Sequence, residues 1–253
     1  MKFYIILIYS FLLAGCSGSQ YVASTPYVPL PKKRGQLDIN IYLSSIQAGY
    51  VFTNHFMCFV TGYRRFNDEG GGNGNPFKKD NTERYRENNA SEINIGVAGF
   101  KKKERISYAL LVGGGLGRMD YLNKRDYYHY HFDMKAYTKN LYLQPTAGIV
   151  LKHNFELAVF TKLNFFQYYN ISTYNSLGVY LAPEVQDEFF IGKKQAEVLI
   201  LNPGVSFKAG WKFMKFHVQV SPTINLLNTV IRHQSIALNA GLSFSFDLLD
   251  QPN

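Results

Sequence analysis

From Gln36 onward the dominant spacing of apolar residues along the chain is two. It is clearest near the C-terminus, where Ile236, Leu238, Ala240, Leu242, Phe244 and Phe246 alternate with Ser235, Ala237, Asn239, Gly241, Ser243 and Ser245. Such a period puts successive side chains on opposite faces of a strand and cannot make one face of a helix. The alternation recurs in Phe155, Leu157, Val159, Leu163 and Phe165 against Glu156, Ala158, Lys162 and Asn164. It appears again in Leu199, Leu201, Pro203, Val205 and Phe207 against Asn202, Gly204, Ser206 and Lys208, and in Leu141, Leu143, Pro145, Ala147 and Ile149 against Asn140, Tyr142, Gln144, Thr146 and Gly148. The pattern predicts ten strands, at about 36–43, 45–53, 56–66, 91–100, 105–117, 138–151, 154–169, 196–211, 214–224 and 235–247. Ser44 and Ser45 make a very short first connection without Gly, and merging that pair lowers the count to eight or nine.

A β-sandwich and a membrane barrel both use this alternation. Most predicted segments are longer than the roughly five or six residues of an ordinary globular strand and suit the roughly 9–11 needed by a tilted membrane strand. Tight turns near Thr53 to His55, Lys101 to Glu104, Leu151 to Asn154 and Trp211 to Met214 alternate with long polar connections over 67–90, 118–137, 170–195 and 225–234. Small residues and amides crowd the polar face, as a confined lumen requires. The predicted fold is therefore all-β, an antiparallel up-and-down transmembrane β-barrel of about ten strands, with eight as the alternative. Glu92, Glu156, Lys162 and Lys208 fall on the lumen face, with Lys215 a further member. Lys facing lipid at mid-depth costs about 2–4 kcal/mol, so these charges are expected to point inward and to pair. Pro145 and Pro203 each remove a ladder hydrogen bond and are expected at bulges near the outer end.

Lys2 precedes a short apolar run from Phe3 to Leu13, which ends in Leu13-Ala14-Gly15-Cys16. The run is too short to span a bilayer as a helix and reads as a secretory leader. The four residues at its end resemble the bacterial lipobox, which implies removal of residues 1–15 and lipidation of Cys16. Residues 16–35 contain Pro26, Pro29 and Pro31 and read as an extended, lipidated tether rather than a packed segment. The barrel then covers 36–247, and 248–253 form a tail. Cys58 is the only other cysteine, so no disulfide forms within the mature chain, and it reads as a small buried or lipid-facing residue.

Composition narrows the class. With 46% hydrophobic and 16% aromatic residues against 18% charged, the chain is neither disordered nor a coiled coil, and no apolar run approaches the roughly 20 residues of a membrane helix. The net charge is +9. Lys32, Lys33, Arg34, Lys101, Lys102, Lys103, Arg105, Lys152, Lys212 and Lys215 collect at the tight-turn end, with Glu104 against them. A lipid on Cys16 in the inner leaflet would make that end periplasmic and set a basic collar beside lipid phosphates. Nucleic acid is not an expected partner, because the chain has no nucleic-acid motif and is exported. Tyr and Phe are expected as lipid-facing girdles and as lumen filler.

Lipobox and alternating strands ending in Leu242-Ser243-Phe244-Ser245-Phe246 together resemble the small outer-membrane β-barrels of Gram-negative bacteria, the OmpA, OmpX and OmpW class, in lipoprotein form. The closing strand resembles the signal read by the barrel-assembly machinery, although Asp247 to Asn253 follow Phe246 here. The resemblance implies location in the cell outer membrane with long loops outside, and outer-membrane lipids, the assembly machinery and a surface or membrane protein as partners. It implies no cofactor. It leaves a non-enzymatic surface role as the leading function, with a narrow channel for a small or apolar solute as the alternative. A lipid-modifying enzyme or protease is the third reading. No catalytic residue is assigned, since the motifs of such enzymes are absent. His129, His131 and Asp133 would share one face of an extended loop and are the candidate metal ligands. Gly70 to Pro76 lacks the ending of a phosphate loop, and Gly113 to Gly117 reads as a strand end with small lumen residues.

Overall fold

The structure, a computed structural model, describes residues 24–31, 33–65, 68–70, 84–125, 130–152, 154–175, 194–227 and 236–249. Twelve strands follow one another: β1 (Gln36–Tyr42), β2 (Ser45–Val51), β3 (Phe56–Arg65), β4 (Asp68–Gly70), β5 (Arg84–Lys103), β6 (Ile106–Arg125), β7 (Tyr130–Lys152), β8 (Phe155–Asn175), β9 (Gln195–Gly210), β10 (Met214–Pro222), β11 (Ile224–Asn225) and β12 (Ile236–Asp247). Short β4 continues β3 along β5, and short β11 continues β10 along β9. Ten wall positions remain. Every pairing is between neighbours and antiparallel, and β1 closes the ring on β12 from Gln36↔Asp247 to Tyr42↔Gly241. The fold is an up-and-down closed barrel of ten strands, as the periodicity predicts.

The tight turns lie where expected. Glu104 and Arg105 alone separate β5 from β6, with Glu104 in the left-handed region at φ 52°. At the other end the strands overrun their predicted limits. The region read as a loop over 118–137 is mostly hairpin, because β6 runs to Arg125 and β7 restarts at Tyr130. Its alternation has reversed phase: Met119, Tyr121, Met134 and Ala136 are buried inward and pack with Phe166, Tyr168, Val198 and Ile200, while Arg118 and Lys135 point outward. Nearer the tight turns the outward face is apolar and the inward face mixed, with Met57, Phe59, Phe100 and Leu111 buried on it as well as amides. Leu110, Val112, Leu116, Leu141, Leu143 and Val159 are exposed on the outside, and Asn140, Gln144 and Asn164 are buried inside.

Neither proline sits in a bulge. Register runs unbroken through Pro145 opposite Leu110 and through Pro203 opposite Thr161. The β9 ladder lapses between Val220↔Val205 and Ile224↔Leu201, as the β7–β8 ladder does at Gln144 and Pro145 without a shift, and the β9 gap sets Pro203 against Pro222. Two residues without an N–H thus share one gap in the ladder. Side chains bridge that gap: Ser221 Oγ donates to the Pro203 carbonyl at 2.9 Å, and Asn202 Nδ2 donates to Thr223 Oγ1 at 2.9 Å. The register shifts fall elsewhere, between Lys135 and Tyr137 and between Val150 and Lys152. Asn170, at φ 51°, supplies the left-handed residue opposite the first shift.

Candidate functional site in the barrel lumen

The lumen is occupied by the chain itself. Residues 24–31, expected to lie outside the barrel as part of a tether, are all buried. Three of these eight residues are Pro, so the segment is short of N–H donors and its carbonyls need donors from the wall. Four strands provide them in order. Gln47 of β2 donates to the Thr25 carbonyl at 2.7 Å, Gln219 of β10 to Pro26 at 3.2 Å, Gln144 of β7 to Tyr27 at 2.6 Å, and Lys208 of β9 to Val28 at 3.4 Å. Side chains add to the attachment. Lys162 Nζ donates to Ser24 Oγ at 3.1 Å, Ser45 Oγ to Thr25 Oγ1 at 3.1 Å, and Thr25 Oγ1 to Asn239 Oδ1 at 3.0 Å.

Packing completes the seal. The Tyr27 ring stacks on Phe59 with centroids 5.2 Å apart. A Cβ on Gly49 would lie 2.0 Å from Tyr27 Oη, and one on Gly148 would lie 2.4 Å from Leu30 Cδ2, so a larger residue at either position would have to displace a side chain of the inserted segment. At the tight-turn end the void left among Leu30, Asp38, Glu156, Lys208 and Lys215 is about 10 Å³. That is about the room of a single water.

The lumen charges have different partners. Glu156 and Lys215 form a buried ion pair at 2.5 Å. Lys215 therefore does not stand in the rim collar; Lys33, Lys101, Lys102, Lys103, Arg105 and Lys212 are exposed there, with Lys33 bridged to Asp247 at 3.1 Å. Lys162 has no carboxylate partner among the described contacts and lies 4.2 Å above the Tyr142 ring. Glu92 accepts from Asn94 Nδ2 at 2.5 Å. Asp38, which the sequence reading passed over, is buried and accepts from Gln36 Nε2 at 2.8 Å.

His217 is a second group missed from sequence. Its Nδ1 lies 2.6 Å from Tyr42 Oη, and its Nε2 lies 2.7 Å from Ser206 Oγ. A serine beside a histidine has the outline of an activated nucleophile, but the third member is a phenol, and Ser206 and His217 are 2% and 0% exposed. The arrangement is a hydrogen-bonded strut between β1, β9 and β10.

Of the candidate metal ligands, His129 and the side chain of His131 lie outside the described residues, as does Cys16. Asp133 is ion-paired with Lys135 at 3.5 Å. Among the described residues no group of three or more His, Cys, Asp or Glu side chains could hold a metal ion. Cys58 is free and exposed on the outer wall. No protein-family model matches the chain, and no curated protein matches it.

Could the sequence have shown the inserted segment? Thr25 to Pro31 carries Tyr27, Val28 and Leu30, more apolar surface than a solvated tether needs. Gln36, Gln47, Gln144 and Gln219 recur at inward positions, an excess of donors with no ligand in sight. Only the closed wall shows that the two sets meet.

Proposed function

We propose that this chain is a lipidated outer-membrane β-barrel that is closed to solutes, has no enzymatic activity and serves as a structural or surface-interaction protein through its long-loop end. The observation that carries this reading is an apolar outer wall around a lumen filled by the chain's own residues. Along β6 the outward apolar set runs from Ile106 to Leu116. At about 3.3 Å per residue and a strand tilt near 40°, that is a band about 25 Å tall, the height of an outer-membrane barrel's lipid belt. Aromatics crowd its lower edge, where Phe52, Phe56, Phe155, Phe207, Trp211, Phe213 and Phe216 are all exposed. The basic residues below them suit anionic headgroups. Above the band the apolar side chains turn inward and charges turn outward, as expected where the surroundings change from lipid to water. Outer-membrane lipids, the barrel-assembly machinery and a surface or membrane protein are its partners.

A lumen filled in this way should block conduction. Purified whole-length protein in planar bilayers should give no stable unit steps, and steady single-channel steps would overturn the closed reading in favour of a narrow channel. Solubility as a monomer without detergent would overturn the membrane reading itself.

A further inference from the structure

The inserted segment has a direction. Gly35 N donates to the Val51 carbonyl at 2.8 Å and Leu248 N to the Gly35 carbonyl at 2.9 Å, which fixes Gly35 at the tight-turn rim. Toward the N-terminus the partners climb. Leu30 lies against Gly148, Val28 against Lys208, Pro26 against Gln219, and Thr25 against Ser45 and Asn239. Ser45 opens β2 and follows the Leu43–Ser44 connection, at the end opposite the tight turns. Within eleven residues the chain has therefore crossed from one end of β1 and β2 to the other. The wall is also lowest here: β1 and β2 have 7 residues each, against 20 in β5 and in β6.

We infer that the mature chain threads its own barrel, so that the N-terminus leaves on the long-loop side and the acyl chains of Cys16 enter the leaflet on that side, the cell-surface leaflet. The inference rests on the membrane reading proposed above and revises the inner-leaflet anchor expected from the lipobox. Cys16 is eight residues from Ser24, a reach of at most about 29 Å in extended chain. Return to the tight-turn leaflet through the lumen is blocked, because the void beside Leu30 at the tight-turn end is only about 10 Å³, too small for a second pass of the chain. Return down the outside would lay Ser17, Gly18, Ser19 and Gln20 along the apolar wall with their backbone groups unpaired in hydrocarbon, a placement that lipid forbids. The long-loop leaflet is left.

Two measurements test this. In a Cys58→Ala background, Ser19→Cys and Lys103→Cys are labelled on cells with a membrane-impermeant maleimide. Ser19→Cys should label equally in intact and lysed cells, and Lys103→Cys, beside the β5–β6 turn, only after lysis. Protection of Ser19→Cys in intact cells overturns the inference. Surface labelling of Lys103→Cys alone shows an inverted barrel and also overturns it, whereas surface labelling of both sites overturns the membrane reading on which it rests. Threading is read without reference to orientation in the purified Thr25→Cys, Ser45→Cys, Cys58→Ala protein. A gel shift abolished by reductant is expected, and its absence under oxidation overturns the threaded path.

Discussion

At the scale of single residues, the Glu156–Lys215 pair puts two charges inside the wall. Both side chains are almost fully buried, 2.5 Å apart, beside a void at the tight-turn end with room for about one water. Removing one partner leaves the other charge without its counterion, a loss of about 3–5 kcal/mol, whereas removing both is milder. Glu156→Gln should therefore lower the urea midpoint of the heat-modifiable band on gels, and adding Lys215→Met should restore much of it. Gly49 tests the packing instead. Gly49→Val should push Tyr27 from its place against Phe59, and limited chymotrypsin digestion should then cut after Tyr27 at concentrations that leave the parent intact.

Among the elements, residues 24–31 behave as an eleventh member of the barrel that forms no backbone ladder among the described residues. Its carbonyls are held by side chains from four strands, so it can be removed without opening the ring closed by β1 and β12. Deleting 24–31 should leave a heat-modifiable barrel and introduce single-channel steps in planar bilayers that the whole chain lacks. An unchanged, silent bilayer from the folded deletion would mean that other parts of the chain close the lumen. The deletion exposes a polar wall in which Asn140, Asn164 and Gln219 already carry amide atoms without partners among the described residues.

For the whole molecule the governing fact is the reversal of faces along the strands. Leu110 lies in the outward band and Arg118, eight residues further along the same strand, lies outward above it. Leu110→Lys should cost about 2–4 kcal/mol at mid-depth and sharply reduce the heat-modifiable membrane fraction. Exchange of Arg118 for Lys should change nothing measurable there. On the membrane reading proposed above, Cys16→Ala should abolish incorporation of labelled fatty acid yet leave the barrel in the membrane fraction, where its apolar wall is enough to hold it.

Ten strands, their inward and outward faces and the tight turns are legible in the sequence, because alternation is a local property set by backbone geometry and by the side of the wall each residue faces. The extensions of β6 and β7 are less legible for the same reason: their alternation continues with its phase reversed, and the sequence does not say what lies outside the wall. Pro145 and Pro203 show a different limit. Each looks like a break in its own strand, and only the register reveals that Pro203 meets Pro222 across one shared gap. The inserted segment lies furthest from reach. Thr25 is 20 residues from Ser45, while Tyr27 is 117 from Gln144 and Val28 is 180 from Lys208. No local pattern brings such residues together; closure of the ring does, by making one small space in which carbonyls without ladder partners meet amides without a ligand.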